Sequence, residues 1–514
     1  MDLLQPLIGG VSLFIVPSVA VALIGGMLWG SIAGAMPGFN QTLAVGVMVP
    51  FTFAMGPIEA VAFLVAIGVG VSYGNSIPAI LVGLPGTPSA VLTALDGHAL
   101  HKRGESGLAL ATSYFAAVSG QFVSSFFFIL MVVPLSQLAY HFLAPELFAL
   151  HMLGITAIVS LTGKNVIKGV LAAALGFGLT MIGPDPIGNN PRFTFGIPEL
   201  RSGLQIVPVA LGLLAVSEII RSARQAHDWH GLAQSFSARF PRWSRLQRTV
   251  PAVAGGTVIG MLVGSIPGMG GSPAAAVAYQ QAQLISKTPE EFGHGSIEGV
   301  AANEAAQNAA QSGEMVPTLG LGIPGSDTMV LLLGALSIHG IVPGPLLAQQ
   351  TPEMLHAAVA GLLGTAILLA IFGWGIARSL LRVATLNRPA VLACALALTI
   401  VGVYALRQSL FDVTVMMTCS FVGYFMLRYG YSTAAAAIAV VLGAGAERSL
   451  RTGLNLTSND LLAFVGRPIT ATILIIAFLI LCYGIRGTIR QARIARALEA
   501  VATQQNLGTP SDDR

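Results

Sequence analysis

Residues 25–38, GGMLWGSIAGAMPG, return in pattern as residues 255–268, GGTVIGMLVGSIPG. Gly25, Gly26, Gly30, Gly34, Pro37 and Gly38 become Gly255, Gly256, Gly260, Gly264, Pro267 and Gly268 at unchanged spacing. A second block repeats as well: Gly74, Pro78, Gly83, Pro85 and Gly86 recur as Gly313, Pro317, Gly322, Pro324 and Gly325. Gly and Pro thus interrupt apolar segments at corresponding places in two halves. That arrangement points to the binding site of a transporter.

The composition fixes the solvent. Only 9% of residues are charged and 54% are hydrophobic, against roughly 25% charged in a soluble domain. Mean hydropathy is +0.77. Apolar runs cover Leu7–Ala35, Gly107–Leu135, Met354–Ile376, Pro389–Leu406 and Pro468–Tyr483. Each is near or above the ~20 residues of a membrane-spanning helix, and none alternates as a barrel strand would. The expectation is an all-α polytopic integral membrane protein with interrupted helices and re-entrant hairpins. Irregular backbone at membrane depth survives only inside protein or beside water. Cys394, Cys419 and Cys482 lack metal-ligand spacing and read as small buried hydrophobes. No basic residue precedes the first apolar run, which therefore reads as a retained span and not a cleaved leader.

Charge sets the expected topology. The first Lys or Arg in the chain is Lys102, whereas Arg221, Arg224, Arg239, Arg242, Arg245 and Arg248 crowd one linker with only Asp228 against them. Arg486, Arg490, Arg493 and Arg496 follow near the C-terminus. Basic loops stay in the cytoplasm, so linker and tail are expected there, the first half entering from outside and the second from inside. Two like sequences starting on opposite faces form an inverted-topology repeat. The expected organisation is a first repeat half at 1–220, a cytoplasmic linker at 221–249, the core of the second half at 250–354, additional C-terminal membrane helices at 355–485 and a tail at 486–514, unstructured from Leu498. The turn-rich segment at 183–198 is expected to be extracytoplasmic. The net charge of +4 belongs to this topology; there is no basic stripe or aromatic platform for nucleic acid.

Three polar constellations accompany the repeats. In MPGFNQT (36–42) and IPGMGGS (266–272), Pro37-Gly38 and Pro267-Gly268 end one helix. Asn40, Gln41 and Thr42, or Gly270, Gly271 and Ser272, then open the next, with small polar residues suited to cap it. A helix start aimed into a cavity is an anion site. The glycines at 30, 34, 260 and 264 read as close-packing positions. In YGNSIPAILVGLPGTPSA (73–90) and GEMVPTLGLGIPGSDT (313–328), two breaks in one apolar stretch read as a helical hairpin or an unwound helix. Asn75, Ser76, Pro85, Gly86 and Thr87 belong to the first, and Pro324, Gly325 and Ser326 to the second. Carbonyls beside Gly74, Gly83, Gly313 and Gly322 would suit a cation, and hairpins dipping from both faces would bring four tips together. In EGVAANEAAQNAAQSGE (298–314), Glu304, Asn308 and Gln311 share one helix face beside Asn303 and Gln307. That face reads as a cavity lining, or else as the polar side of an interfacial helix. Asp96 reads as a cap or a ligand; Asp327 as a cation ligand or a cap.

Absences narrow the chemistry. There is no GxxxxGK[ST], so the chain does not itself hydrolyse ATP, and neither HExxH nor GxSxG stands out. The repeat core holds almost no Lys or Arg; Lys164, Lys168, Arg192 and Arg201 lie outside it. An anionic substrate would be held by N–H groups, hydroxyls and amides, with a co-transported Na+ or H+ supplying charge. Glu304 and Asp327 are its candidate ligands, and no other cofactor is implied. A passive anion channel on the same repeats is the alternative. An intramembrane enzyme would need paired aspartates or a metal-ligand cluster, and neither is found.

These motifs resemble the large membrane subunit of the tripartite tricarboxylate transporters, the TctA family. The likeness covers roughly residues 24–110 and 255–345. It is most specific in YGNSIPAILVGLPGTPSAVLTALDG, GSIPGMGGSPAAA and GVAANEAAQNAAQSGEMVPTLGLGIPGSDTMVLLLGAL. The family pattern more often carries Pro at the position of Asn303 and Asn at that of Gln307, and a glycine-richer form of MPGFNQT; these departures bear on which substrate is carried. The resemblance implies a secondary importer of carboxylates in the bacterial inner membrane, driven by sodium or protons. It also implies a small membrane subunit and a periplasmic substrate-binding protein as partners, and an elevator-like motion.

Overall fold

The computed structural model describes residues 5–36, 39–161, 165–224, 240–380 and 388–507. The first half begins with α1 (Gln5–Ser12), a 3-10 turn (Leu13–Ile15) and α2 (Pro17–Ala35), so the apolar run from Leu7 to Ala35 is two helices and not one. Pro17 is the reason. Val16 before it is extended (φ −79°, ψ 116°), as residues preceding proline prefer, and Pro17 then opens α2 where its missing N–H is harmless. Next come α3 (Gln41–Met48), which continues into a 3-10 segment (Val49–Ala54), then α4 (Pro57–Gly74), α5 (Ser76–Val82) and α6 (Val91–Lys102). The long α7 (Ser106–Tyr140), then α8 (Ala144–Leu161) and α9 (Val166–Thr180), lead to a small ribbon pairing Gly183–Pro184 with Pro191–Arg192. A π-helical turn (Leu211–Val216) joins α10 (Ile206–Ala210) to α11 (Ser217–Arg224).

The second half repeats the first. Short α12 (Trp243–Leu246) leads into α13 (Val250–Gly264), α14 (Gly271–Ile285), α15 (Ile297–Leu321) and α16 (Asp327–Ile338). Boundaries coincide under the sequence offsets: α14 starts 230 positions after α3, and α15 ends 239 positions after α5. The remaining elements are α17 (Leu347–Gln350), α18 (Glu353–Val359), α19 (Thr365–Ser379), α20 (Arg388–Arg407), α21 (Leu410–Arg428), α22 (Thr433–Leu456), α23 (Leu461–Val465) and α24 (Pro468–Leu507). Ten helices among the described residues are long and apolar enough to cross a membrane. The chain is an all-α polytopic membrane protein.

Glycine sets how closely the repeat helices cross. A Cβ built on Gly26, Gly30 or Gly34 of α2 would stand 2.5, 2.3 and 2.5 Å from the carbonyl oxygens of Phe63, Ile67 and Val71 on α4. On α13, Gly256 and Gly260 meet the Ala302 and Ala306 oxygens of α15 at 2.5 and 2.4 Å in the same way. Without a hydrophobic drive inside lipid, such backbone approach is a main source of helix association. The α15 helix is buried without interruption from Gly299 to Gly320, which excludes an interfacial position. The halves are also crossed: α3 lies against α16, and α14 against α6 and the Pro88–Ala90 turn. Phe53, beyond α3, and Ile338, ending α16, share a cavity with α10. Glu105, just beyond α6, pairs with linker residue Arg245 at 3.2 Å, and Ile285, ending α14, shares a cavity with Arg248.

Two peripheral expectations are corrected. Helix α24 continues through Leu498 to Leu507, because its Ala-, Leu-, Arg- and Gln-rich sequence favours helix and no breaker intervenes before Gly508. Only Cys419 of the three cysteines is buried; Cys394 is exposed on α20 and Cys482 half-buried, since the apolar surroundings of an outer membrane helix are lipid as well as protein. Residues 225–239 of the basic linker, Asp228 and Arg239 included, lie outside the described residues.

Candidate functional site

Four segment starts converge on a cavity of about 230 Å3. Asn40, Gln41 and Thr42 come from the start of α3, and Thr87, Pro88 and Ser89 from the turn before α6. Gly268 to Ser272 contribute from the start of α14, Ser326 to Thr328 from that of α16, and Glu314 from α15. Each half thus supplies two starts. The described lining holds two carboxylates and no Lys, Arg or His. Pro37 and Gly38 lie outside the described residues.

The two halves brace this cavity with the same frame. Gly83 (φ 76°) and Gly322 (φ 73°) end their helices in the left-handed region, where an L side chain is strained. Beyond them, Cβ atoms at Gly86 and Gly325 would each stand 2.7 Å from a carbonyl oxygen, of Gly34 and Glu314 respectively. Asn75 then donates to Thr87 Oγ1 at 2.6 Å, and Ser326 donates to Glu314 Oε2 at 2.6 Å. The Gly268 N–H donates to the Gly325 carbonyl at 2.8 Å, while Thr42 and Thr328 join across the halves at 3.3 Å.

Capping differs among the starts. Asn40 caps α3, accepting from the Leu43 N–H at 2.8 Å. No N-cap side chain caps α14 or α16. Ser272, expected as a cap, lies inside the first turn of α14 behind Gly270 (φ 63°), and the Ser326 hydroxyl is engaged by Glu314. The Glu314 carboxylate instead meets the Gly271 N–H at the start of α14, and the Asp327 carboxylate its own N–H at the start of α16, each at the positive end of a helix dipole.

A family model described as the Tripartite tricarboxylate transporter TctA family matches residues 20–438. The chain belongs to the TctA family. It is 31% identical over 493 residues to an uncharacterized 52.8 kDa protein from the TAR-I ttuC' 3' region of Agrobacterium vitis, covering 96% of this chain and 98% of that one. An uncharacterized protein from the TAR-II ttuC' 3' region of the same organism is 31% identical over 234 residues, 46% of this chain and 97% of its own length. No solved structure matches. Every residue lining the cavity falls within the TctA match.

In this TctA chain the polar face of α15 joins the halves and does not line the cavity. Asn303 donates to the Ser89 carbonyl at 2.9 Å and to Thr93 Oγ1 at 2.7 Å. Glu304 accepts from Thr93 and, at 2.8 Å, from Gln307. Gln307 and Asn75 exchange bonds at 3.3 Å; Gln311 and Gln41 do so at 2.8 and 3.1 Å. Asn308 donates to the Glu304 carbonyl at 2.9 Å, and Ser76 to that of Tyr73 at 2.6 Å. Asn75, Ser76, Asn303, Glu304 and Asn308 therefore stand behind the cavity wall. Pro85, Gly86, Pro324 and Gly325 shape the turns, and Asp327 lines the cavity with Glu314. The structure does not bring Glu304 and Asp327 together. Among the described residues no cluster of three His, Cys, Asp or Glu could hold a metal.

Only one of the two expected breaks opens in the second half: α15 runs unbroken through Gly313 to Leu321. Pro78 and Pro317 nevertheless remove the N–H that would donate to the carbonyls of Gly74 and Gly313. Asp96 neither caps its own helix nor faces the cavity. It is buried and accepts from the N–H groups of Gly293, Gly295 and Ser296 at 2.8–3.0 Å and from Tyr279 at 2.7 Å, tying α6 to the second half. Sequence reasoning passed over Pro88, Ser89, Met269, Glu314 and Thr328 as lining residues. The signal for Glu314 was present, since it stands 239 positions after Asn75.

Proposed function

We propose that this chain is the large, substrate-translocating subunit of a secondary importer for a small di- or tricarboxylate in the bacterial inner membrane. Its partners in this reading are a small membrane subunit and a periplasmic binding protein, and its two halves form an inverted repeat with linker and C-terminus in the cytoplasm. The observation that carries the reading is the meeting of four segment starts, two per half, on one cavity whose described lining holds no Lys, Arg or His. Substrate carboxylates bind there to N–H groups of α14 and α16 and to the amide and hydroxyls of Asn40, Thr42, Thr87 and Ser272, with Gly268 and Gly325 shaping the approach. The crossed packing of α3 on α16 and α14 on α6 supports the inverted repeat.

A cation completes the charge balance, because an anion meeting Glu314 and Asp327 in a low-dielectric cavity is repelled unless a positive charge enters with it. Sodium is the proposed ion, with Asp327 at the cavity as its carboxylate ligand; Glu304, which stands behind the wall, would serve a second, separate ion. The Asn303 and Asn308 carbonyl oxygens beside Glu304 are buried without a donor, as a cation site would leave them.

The test is uptake of labelled carboxylates into proteoliposomes holding this chain and its small partner, with and without the binding protein and an imposed Na+ gradient. Saturable uptake that needs both supports the importer. Uptake indifferent to both makes the paired turns pore architecture, and uptake abolished by a protonophore but not by collapse of the sodium gradient replaces Na+ by H+.

A further inference from the structure

Away from the repeat tips, a cavity of about 290 Å3 opens where α13 and α14 reach the linker side. Its wall holds two cations, Arg248 and Lys287, and neither makes an ion pair among the described residues. The acid in the same wall, Glu298, is already engaged: Ser286 donates to it at 2.5 Å and in turn accepts from the Thr288 N–H at 3.1 Å. That pair holds Glu298 within the connection between α14 and α15. The floor is Ala252 and Ala282, whose small side chains leave the space open.

The cavity continues into an apolar lane. Pro251 begins a face of α13 on which Val258 and Leu262 follow at i+7 and i+11, exposed by 50% and 58%. Leu262 lies about 16 Å along the helix axis from Pro251, close to the depth of one leaflet of a ~30 Å hydrocarbon core. Trp243, 53% exposed, stands at the same end, and amphipathic rings mark the membrane interface. Two unpaired cations over a leaflet-deep apolar lane match a phosphate headgroup carrying an acyl chain better than a soluble anion, which has no use for the lane.

We infer that this cavity seats the headgroup phosphate of an anionic phospholipid between Arg248 and Lys287, with an acyl chain laid along Val258 and Leu262. Basic pockets between membrane helices attract anionic headgroups, and two such cations together change retention by roughly thirtyfold. The lipid would lie against α13, the helix that leads into the Gly268 turn.

The experiment takes the purified full-length chain in neutral detergent with phosphatidylglycerol or phosphatidylcholine, and reads bound lipid by native mass spectrometry. The expected result is phosphatidylglycerol retained over phosphatidylcholine by roughly thirtyfold. R248Q/K287Q should lose that preference, and K287R should keep it. The lipid-free thermal midpoint should be the same in all three, which separates a lost site from lost folding. An undiminished preference in R248Q/K287Q overturns the inference. So does equal displacement by inorganic phosphate and by phosphatidylglycerol, which would make this a soluble-anion site. Transport is not the readout, so the outcome is independent of the proposed function.

Discussion

At the tip of the first half Asn75 donates to Thr87 at 2.6 Å; at the tip of the second, Ser326 donates to Glu314 at 2.6 Å. Each tip has a hydrogen bond between equivalent positions, a left-handed glycine and a glycine blocked by a carbonyl oxygen, but the bond runs in opposite directions and the blocking carbonyls, of Gly34 and Glu314, are not equivalent. The chemistry differs as well: a neutral amide braces one turn, and a carboxylate facing the cavity braces the other. The backbone frame is thus duplicated while charge is confined to one half. Asp327 sharpens the contrast, since the equivalent position in the first half is Pro88. The tethering differs too. Asp96 ties α6 to the second half through four hydrogen bonds, whereas Ala335 stands at the corresponding place on α16.

The largest effect is expected where the halves agree. Gly86→Val and Gly325→Val both drive a side chain into a carbonyl oxygen at 2.7 Å, and a displaced turn should lower uptake by roughly 100-fold or more in each. A loss in only one of them would break the shared frame.

Where the halves differ, their responses should part. Glu314→Gln keeps an acceptor for Ser326 and removes one of the two cavity charges, so uptake should fall by about tenfold, one lost charge-assisted contact, and depend less steeply on the cation gradient, Asp327 remaining. Asn75→Asp puts an unneeded charge into a buried amide network and should cost about 1–3 kcal/mol of stability, read as a lower thermal midpoint in detergent. Equal cation responses in the two variants would erase the distinction.

Asp96→Asn keeps an oxygen for the three N–H groups but removes the charge from those bonds and puts an amide NH2 where Oδ2 accepts from the Tyr279 hydroxyl. It should destabilise by about 1–3 kcal/mol, measured by thermal unfolding of the purified chain; an unchanged midpoint would show that the tether carries nothing.

The smallest effect belongs to the ribbon. The N–H groups of Gly188 and Ile187, helped by Arg451, hold the Asp185 carboxyl down to about 2. A depressed carboxyl contributes stability that is complete above its unfolded value and fades as pH falls toward 2. Asp185→Asn should therefore leave the pH profile of uptake between pH 5 and 8 unchanged; a shift there would move the source of pH dependence from the cavity to the ribbon.

Much of this was legible in the chain. Helices, their crossings and the turns depend on neighbours a few residues away: Gly at every fourth position of α2 admits α4, and Pro-Gly pairs stop helices wherever they stand. The α15 face shows the limit. Glu304, Asn308 and Gln311 fall on one side of the helix by periodicity, but periodicity does not say whether that side meets water or protein. Only the packing of α6 and α3 against it turned those side chains into ties between the halves. Glu314, three residues further along, reaches the cavity because the α14 and α16 turns leave room in front of it.

The sequence by itself determined the solvent, the duplication and most of the helices and their breaks, the continuous α15 through Gly313 and the helical tail excepted, because hydrophobicity, glycine and proline act locally. The tertiary structure alone decided which polar groups face the cavity, which are consumed in joining the halves, and that charge sits at one tip only. Those outcomes depend on contacts between segments more than 200 residues apart, which no local pattern encodes.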